Sequence, residues 1–200
     1  MTLYQLKQLI RSSANDVLTS YSISETELDM LVYSRLQEIA KLMNDYGHEF
    51  YKEKISFEQS YSGFGLVDKI LYSAEVFIYK LSTAYIKASD VLYSVTISTV
   101  DSVHQDTLNE QETASIAFSN AAFYVHPPSA VTGDYSLYVT ICSYPEMFTD
   151  DDSIVTVPPE YITYLVALCR KSLYERGNWT APKNIYDEIA LNEYKIINKA

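Results

Sequence analysis

The chain has 200 residues and carries 15 Lys and Arg against 26 Asp and Glu, a formal net charge of −11. It is long enough to bury a real core, and 48% hydrophobic against 20% charged residues excludes a disordered chain. The acidic balance excludes a protein that grips nucleic acid over a broad face, because neutralising phosphates needs clustered Lys and Arg.

The N-terminus, Met1-Thr-Leu-Tyr-Gln-Leu-Lys, lacks a charged segment followed by an apolar one, so no signal peptide is expected. Residues 3–20 predict a helix, with Leu3, Leu6, Ile10, Val17 and Leu18 on one stripe and Ala14 between them. Thr19-Ser20-Tyr21-Ser22 breaks it. Ser24-Glu25-Thr26-Glu27 is a capping box, a hydroxyl residue followed three positions later by Glu. The helix it opens directs Leu28, Leu31, Val32, Leu36, Ile39 and Met43 to the core and stops near Gly47. The two helices form an αα-hairpin.

Strand signals fill the middle. Tyr51 to Phe57 alternates, and Tyr61 to Gly65 is a turn. Residues 66–74 are ambiguous, since Leu66, Val67, Ile70, Leu71 and Ala74 suit a short helix. Val76 to Tyr79 is β-rich, and Asp90 to Thr99 is β-branched and alternating. Residues 101–114 read as a polar loop or a short helix. Ser115 to Val125 reads as one strand ending at His126-Pro127-Pro128, Gly133-Asp134 as a turn, and Tyr135 to Tyr144 as a further strand. Pro158-Pro159-Glu160 suits a first helical turn. The helix that follows, Tyr161 to Arg176, is apolar nearly all round, so it needs cover on more than one side. Gly177 closes it. Thr180 caps a last helix with Ile185, Ile189 and Ile196 along one face.

The expected fold is α+β: the N-terminal αα-hairpin and two C-terminal helices form a helical bundle, with a central small antiparallel β-sheet or barrel. A single domain spans 1–200. Within it, residues 1–47 and 157–200 are the helical portion, and 48–156 form a β-rich insertion.

The residues point to no catalytic, cofactor or metal site. His48, His104 and His126 stand far apart, with no second His or Cys at ligand spacing. No nucleophile elbow, phosphate loop or dinucleotide fingerprint occurs, and Gly63-Phe64-Gly65 reads as a turn. Cys142 and Cys169 make no disulfide framework and read as buried thiols of a protein made in a reducing cytosol. No apolar run reaches the roughly 18 residues of a membrane span. Asp150, Asp151 and Asp152 read as a solvated loop. Ringed around a passage, such loops would repel DNA from its wall. The 19 tyrosines suit subunit interfaces. Tyr161, Tyr164, Tyr174, Trp179, Tyr186 and Tyr194 are the candidate set, expected where a neighbouring subunit covers the two-sided helix.

The layout resembles the head-to-tail adaptor or connector ring proteins of tailed bacteriophages, the tail-tubular adaptor type included. Four stretches carry the resemblance: the N-terminal hairpin, with Ser24 to Asp29 opening a helix through Leu36 to Ile39; Val76 to Lys87, similar to a strand leading into a "Tyr-x-Leu-Pro-x-x-Phe" turn, with Ser82 where that family has proline; Ala122 to Pro128 followed by Tyr135 to Pro145; and Val157 to Leu168, similar to a "Leu-Pro-x-x-Tyr/His-x-x-Leu-Val" helix opening. The Tyr-, Ile- and Asn-rich usage fits an AT-rich genome such as that of a crAss-like phage. The resemblance implies a virion structural protein with no enzymatic activity. It would form a homo-oligomeric ring of twelve copies at the capsid vertex, made in the host cytoplasm, touching the portal and neighbouring neck or tail proteins. Packaged DNA would pass through without specific binding, and no membrane would be involved. The alternative from another class is a small acidic protein-binding module or nucleic-acid-mimic inhibitor. A small enzyme using one of the histidines has least support.

Overall fold

A computed structural model describes residues 1–14, 22–60, 63, 66–73, 77–108 and 112–198. The expected helix beyond residue 14 with Val17 and Leu18, the break at 19–21, most of the turn at 61–65, and Ala74 and Val76 lie outside the described residues. The chain divides into two compact units, one of Met1–Tyr51 with Tyr144–Ala200, the other of Lys52–Ser143.

The first unit is helical. Its elements are α1 (Leu3–Ser13), α2 (Glu25–Asp45), a 3-10 turn (Pro159–Tyr161), α4 (Ile162–Arg176) and α5 (Lys183–Asn198); α3 (Val100–Leu108) belongs to the other unit. Both N-terminal helices open on capping boxes. Thr2 accepts from Gln5 N at 3.2 Å and Gln5 Oε1 accepts from Thr2 N at 3.1 Å. Ser24 and Glu27 exchange the same pair of bonds at 3.3 and 2.9 Å. Each cap is worth about 1 kcal/mol, because it satisfies amides that a helix start leaves without partners. Gly47, at φ +80°, ends α2. The His48 amide reaches Met43 O at 3.0 Å and the Gly47 amide reaches Asn44 O at 3.2 Å, the paired bonds of a Schellman stop. All six core positions read from α2's period are buried.

Helix α4 packs against α1, α2 and α5. That arrangement explains its unpatterned sequence: three neighbours from the same chain leave it almost no solvent-facing side. Leu165, Ala167, Cys169 and Leu173 are fully enclosed.

The second unit is built on a seven-stranded curled sheet. Its strands are β1 (Lys52–Gln59), β2 (Asp68–Leu71), β3 (Ile78–Ala88), β4 (Val91–Ile97), β5 (Ala114–Ser119), β6 (Ala122–His126) and β7 (Tyr135–Ser143), in the order β1-β7-β3-β4-β5-β6-β2. Every neighbouring pair is antiparallel except β4 and β5. A parallel pair needs a crossover, and α3 (Val100–Leu108) supplies it, packing on β5 and β6. The curl brings Phe57 of β1 within 5.3 Å of Phe123 of β6 and 6.3 Å of Tyr72 (ring centroids), just past β2. Inward residues Ile86, Leu137, Ile141, Ile116, Phe123 and Val125 form this unit's own core.

The expected helical bundle with a small antiparallel sheet is therefore corrected to a mixed α/β fold with a seven-stranded sheet and a helix inside the β-rich unit. Three local points account for the difference. Residues 68–71, within the stretch that the sequence left ambiguous, form edge strand β2. Asp68 and Ile70 point inward, and Leu71, counted among the apolar helix positions, is 74% exposed. The single strand read over 115–125 is a hairpin whose two-residue turn, Asn120-Ala121, has positive φ at both positions. And β3 runs through Ser82 to Ala88 with a register shift between Leu81 and Thr83, where the family pattern implied a turn.

Candidate interaction surface of the helical unit

Two sets of side chains in the helical unit combine charge or aromatic surface with distinctive placement. The first surrounds Lys7, which α1 holds 2% exposed. Its ammonium bonds Asp29 at 2.8 Å, Glu25 at 3.2 Å and also Asp151. Glu25 further pairs with Arg11. Burial alone would lower the Lys7 pKa, but the bonds to Asp151, Asp29 and Glu25 outweigh it and raise the value. The Glu25 carboxyl is held below its usual range, chiefly by Arg11 and then by Lys7.

This cluster fixes where the acidic run goes. Asp151 engages Lys7, while Asp150 Oδ1 accepts from the Asp152 amide at 3.0 Å and from Ser153 Oγ at 3.2 Å. The carbonyls of Ser153 and Asp151 then accept from the Leu3 and Tyr4 amides at 2.9 Å, satisfying the open start of α1. Asp150, Asp151 and Asp152 remain surface-exposed, but two of the three carboxylates have structural work within the unit.

The second set is aromatic, and it divides. Tyr161, Tyr164 and Tyr174 are 1%, 1% and 5% exposed. They belong to the core that α4 makes with its neighbours, so the cover expected from another subunit comes from the chain itself. Tyr164 donates to Glu193 Oε1 at 3.2 Å, and burial together with that carboxylate raises its pKa. His48 Nε2 donates to Ile196 O at 2.8 Å with its ring edge-on to Tyr161, pinning the end of α5. Trp179, Tyr186 and Tyr194 are at the surface, 41%, 41% and 65% exposed.

Tyr186 and Tyr194 are part of a broader face of α5. Helix α5 buries Ile185, Ile189, Asn192 and Ile196. At 100° per residue, two further rows lie beside that stripe: Tyr186, Ala190, Glu193 and Ile197, then Asp187, Leu191, Tyr194 and Asn198. Leu191 is 55% and Ile197 40% exposed. Neither row carries a cation, although Lys171 of α4 sits over the Tyr186 ring at 5.7 Å. This second, solvent-facing side sets Tyr186, Leu191, Tyr194 and Ile197 among the polar Asp187, Glu193 and Asn198, and large exposed apolar and aromatic side chains grouped with polar ones are what a docking surface presents. Leu191 and Ile197 were absent from the residues singled out by sequence, since the period was counted only for the buried face.

Among the described residues no group of three His, Cys, Asp or Glu is placed to hold a metal ion, and no helix is long and apolar enough to cross a membrane. Cys142 and Cys169 are buried, and burial pushes the Cys169 thiol up to about 12. No family model and no curated protein matches the chain.

Proposed function

We propose that this chain is a scaffolding subunit of a head-to-tail adaptor ring in the neck of a tailed bacteriophage, joining the portal to the tail and bordering the DNA passage. One observation carries the reading: α5 offers Tyr186, Leu191, Tyr194 and Ile197 to solvent while its other side is buried in the core. Large, rigid amphipathic side chains of this kind dominate subunit contacts. A repeated contact between unlike faces closes into a ring when the subunit rotation allows it. The resemblance of the α2, 122–145 and 157–168 stretches supplies the biological setting: about twelve copies per virion vertex, portal and tail proteins as neighbours, and a role in holding and releasing DNA without chemistry. The exposed Asp150–Asp152 turn would give the passage a negative, non-adhesive border.

Mass measurement of the purified chain, alone and mixed with portal rings, tests this. Closed oligomers or portal-bound rings are expected, and Tyr194→Asp should abolish them while leaving the far-ultraviolet spectrum unchanged. A chain that stays monomeric in every mixture with portal overturns the reading.

A further inference from the structure

We infer that β2 is a detachable strap over the edge of β6, latched by a buried side-chain bond, and that the β-rich unit opens along this strap without unfolding as a whole. The device lies in the β-rich unit and does not rest on the ring reading.

The sheet order places β1 at one end and β2 at the other. The curl carries these two ends toward each other, yet no backbone ladder joins β1 to β2 among the described residues. Side chains bridge the seam instead. Tyr135, at the start of β7, donates to Asp68 Oδ2 of β2 at 2.7 Å, and both residues are buried. Phe57 of β1 meets the ring of Tyr72 edge-on and that of Phe123 at a tilt. Tyr72 in turn stands edge-on to Phe118 and Phe123.

The strap itself has little to hold it. β2 is four residues long and pairs on one side, with β6, whereas β3 and β7 each have a strand on both sides. Of its four side chains only Asp68 and Ile70 are buried; Leu71 is exposed, and exposed Lys69 lies over the Tyr124 ring at 5.7 Å. Local opening starts at elements with few buried apolar contacts. Asp68 decides whether this one stays shut. A buried carboxylate is costly without donors, and the Tyr135 hydroxyl supplies one from across the curl. When that bond breaks, the carboxylate is better hydrated outside, and β2 leaves with it.

What the strap covers needs cover. β6 buries Ala122, Phe123 and Val125, and an apolar strand with a bare edge is a template for pairing with another chain. A very short edge strand with an inward-pointing charge blunts such an edge. Release of β2 bares it.

Native-state hydrogen exchange on the intact chain, followed at low denaturant, tests this. The amides that tie β2 to β6, that of Tyr72 to Ala121 O at 2.9 Å among them, should exchange faster than those between β3 and β7. They should also depend more weakly on denaturant, because a partial opening exposes less surface than unfolding of the whole unit. Tyr135→Phe removes the latch and should speed the β2–β6 amides by roughly tenfold or more. Exchange of β2 at the β3–β7 rate, with the same denaturant dependence, overturns the inference. So does a Tyr135→Phe variant that speeds β3–β7 exchange but not that of β2, since the bond is then still intact when β2 opens. A lock gives a second test that does not require Tyr135→Phe to fold. Lys69→Cys and Tyr124→Cys stand directly opposite in the β2–β6 register, within reach of a disulfide, and the native thiols are buried. Oxidation should slow β2–β6 exchange to the β3–β7 rate and reduction should release it; exchange that is the same in both forms overturns the inference.

Discussion

Replacing Leu165 with alanine separates a self-covered α4 from one that depends on a neighbouring subunit. Leu165 is fully enclosed in the helical unit, on a helix flanked by α1, α2 and α5. Leu→Ala at enclosed sites costs ~2.7–5 kcal/mol, lost transfer energy plus the cavity left behind, and the upper end of that range applies where neighbours cannot collapse. Three helices braced by the Lys7 cluster and the His48–Ile196 bond have little freedom to move inward. At ~2–4 °C per kcal/mol for a chain of this size, Tm should fall by roughly 10 °C or more. Leu191→Ala on the exposed face of α5 should stay within ~0.5 kcal/mol. Trp179, the single tryptophan, makes fluorescence-detected urea unfolding a reporter of the helical unit. Measured on monomeric protein, a cost below ~1 kcal/mol for Leu165→Ala would refute the claim that the chain covers this helix by itself.

Three other predictions are independent of assembly. Ala121→Gly should stabilise the β-rich unit by ~0.5–1 kcal/mol, because residue 121 holds φ +55° in a two-residue hairpin turn that favours glycine; thermal unfolding of the two forms compares them directly. Cys142 and Cys169 should resist a thiol reagent at pH 8 in the folded protein and react fully in denaturant, since both are buried and Cys169 is pushed up to about 12. The helical unit should lose stability in acid. Glu25 has a lowered folded pKa, so its contribution is present above the usual carboxylate value of ~4.3 and disappears as pH falls through the lowered one. The raised pKa of Lys7 works at the other end: its contribution is complete below ~10.4 and lost only as pH climbs through the raised value. Glu25→Gln should flatten the acid limb of a pH–stability curve and, because Glu25 is one of the three carboxylates that hold the Lys7 value up, draw the alkaline limb toward lower pH.

Helix ends were legible in the sequence because their signals are local. Ser24 with Glu27, and Gly47 after Met43 and Asn44, each satisfy amides or carbonyls within a few residues, and the structure has those bonds. Strand pairing was less legible because its determinants lie far along the chain. Nothing near Asp68 shows that Tyr135 will donate to its carboxylate at 2.7 Å and draw it inward as part of β2. The β5–β6 turn was hidden because Asn-Ala lacks the Gly that usually marks it. The parallel β4–β5 pair depended on deciding that 100–108 is a helix, which its mixed composition leaves open. At the candidate surface, composition marked aromatic side chains on α4 and α5 alike but not which of them are buried. Tyr164 and Tyr194 both look like interface tyrosines, and only the position of α4 between three helices separates the buried one from the exposed one.

Assembly into a ring through contacts that run along α5 is tested most directly by an electron micrograph of the virion neck at residue resolution. The prediction is a closed ring of this chain beneath the portal, with the Tyr186–Ile197 face of each copy buried against its neighbour. A virion without the chain, or a ring in which that face of α5 stays in solvent, would contradict it.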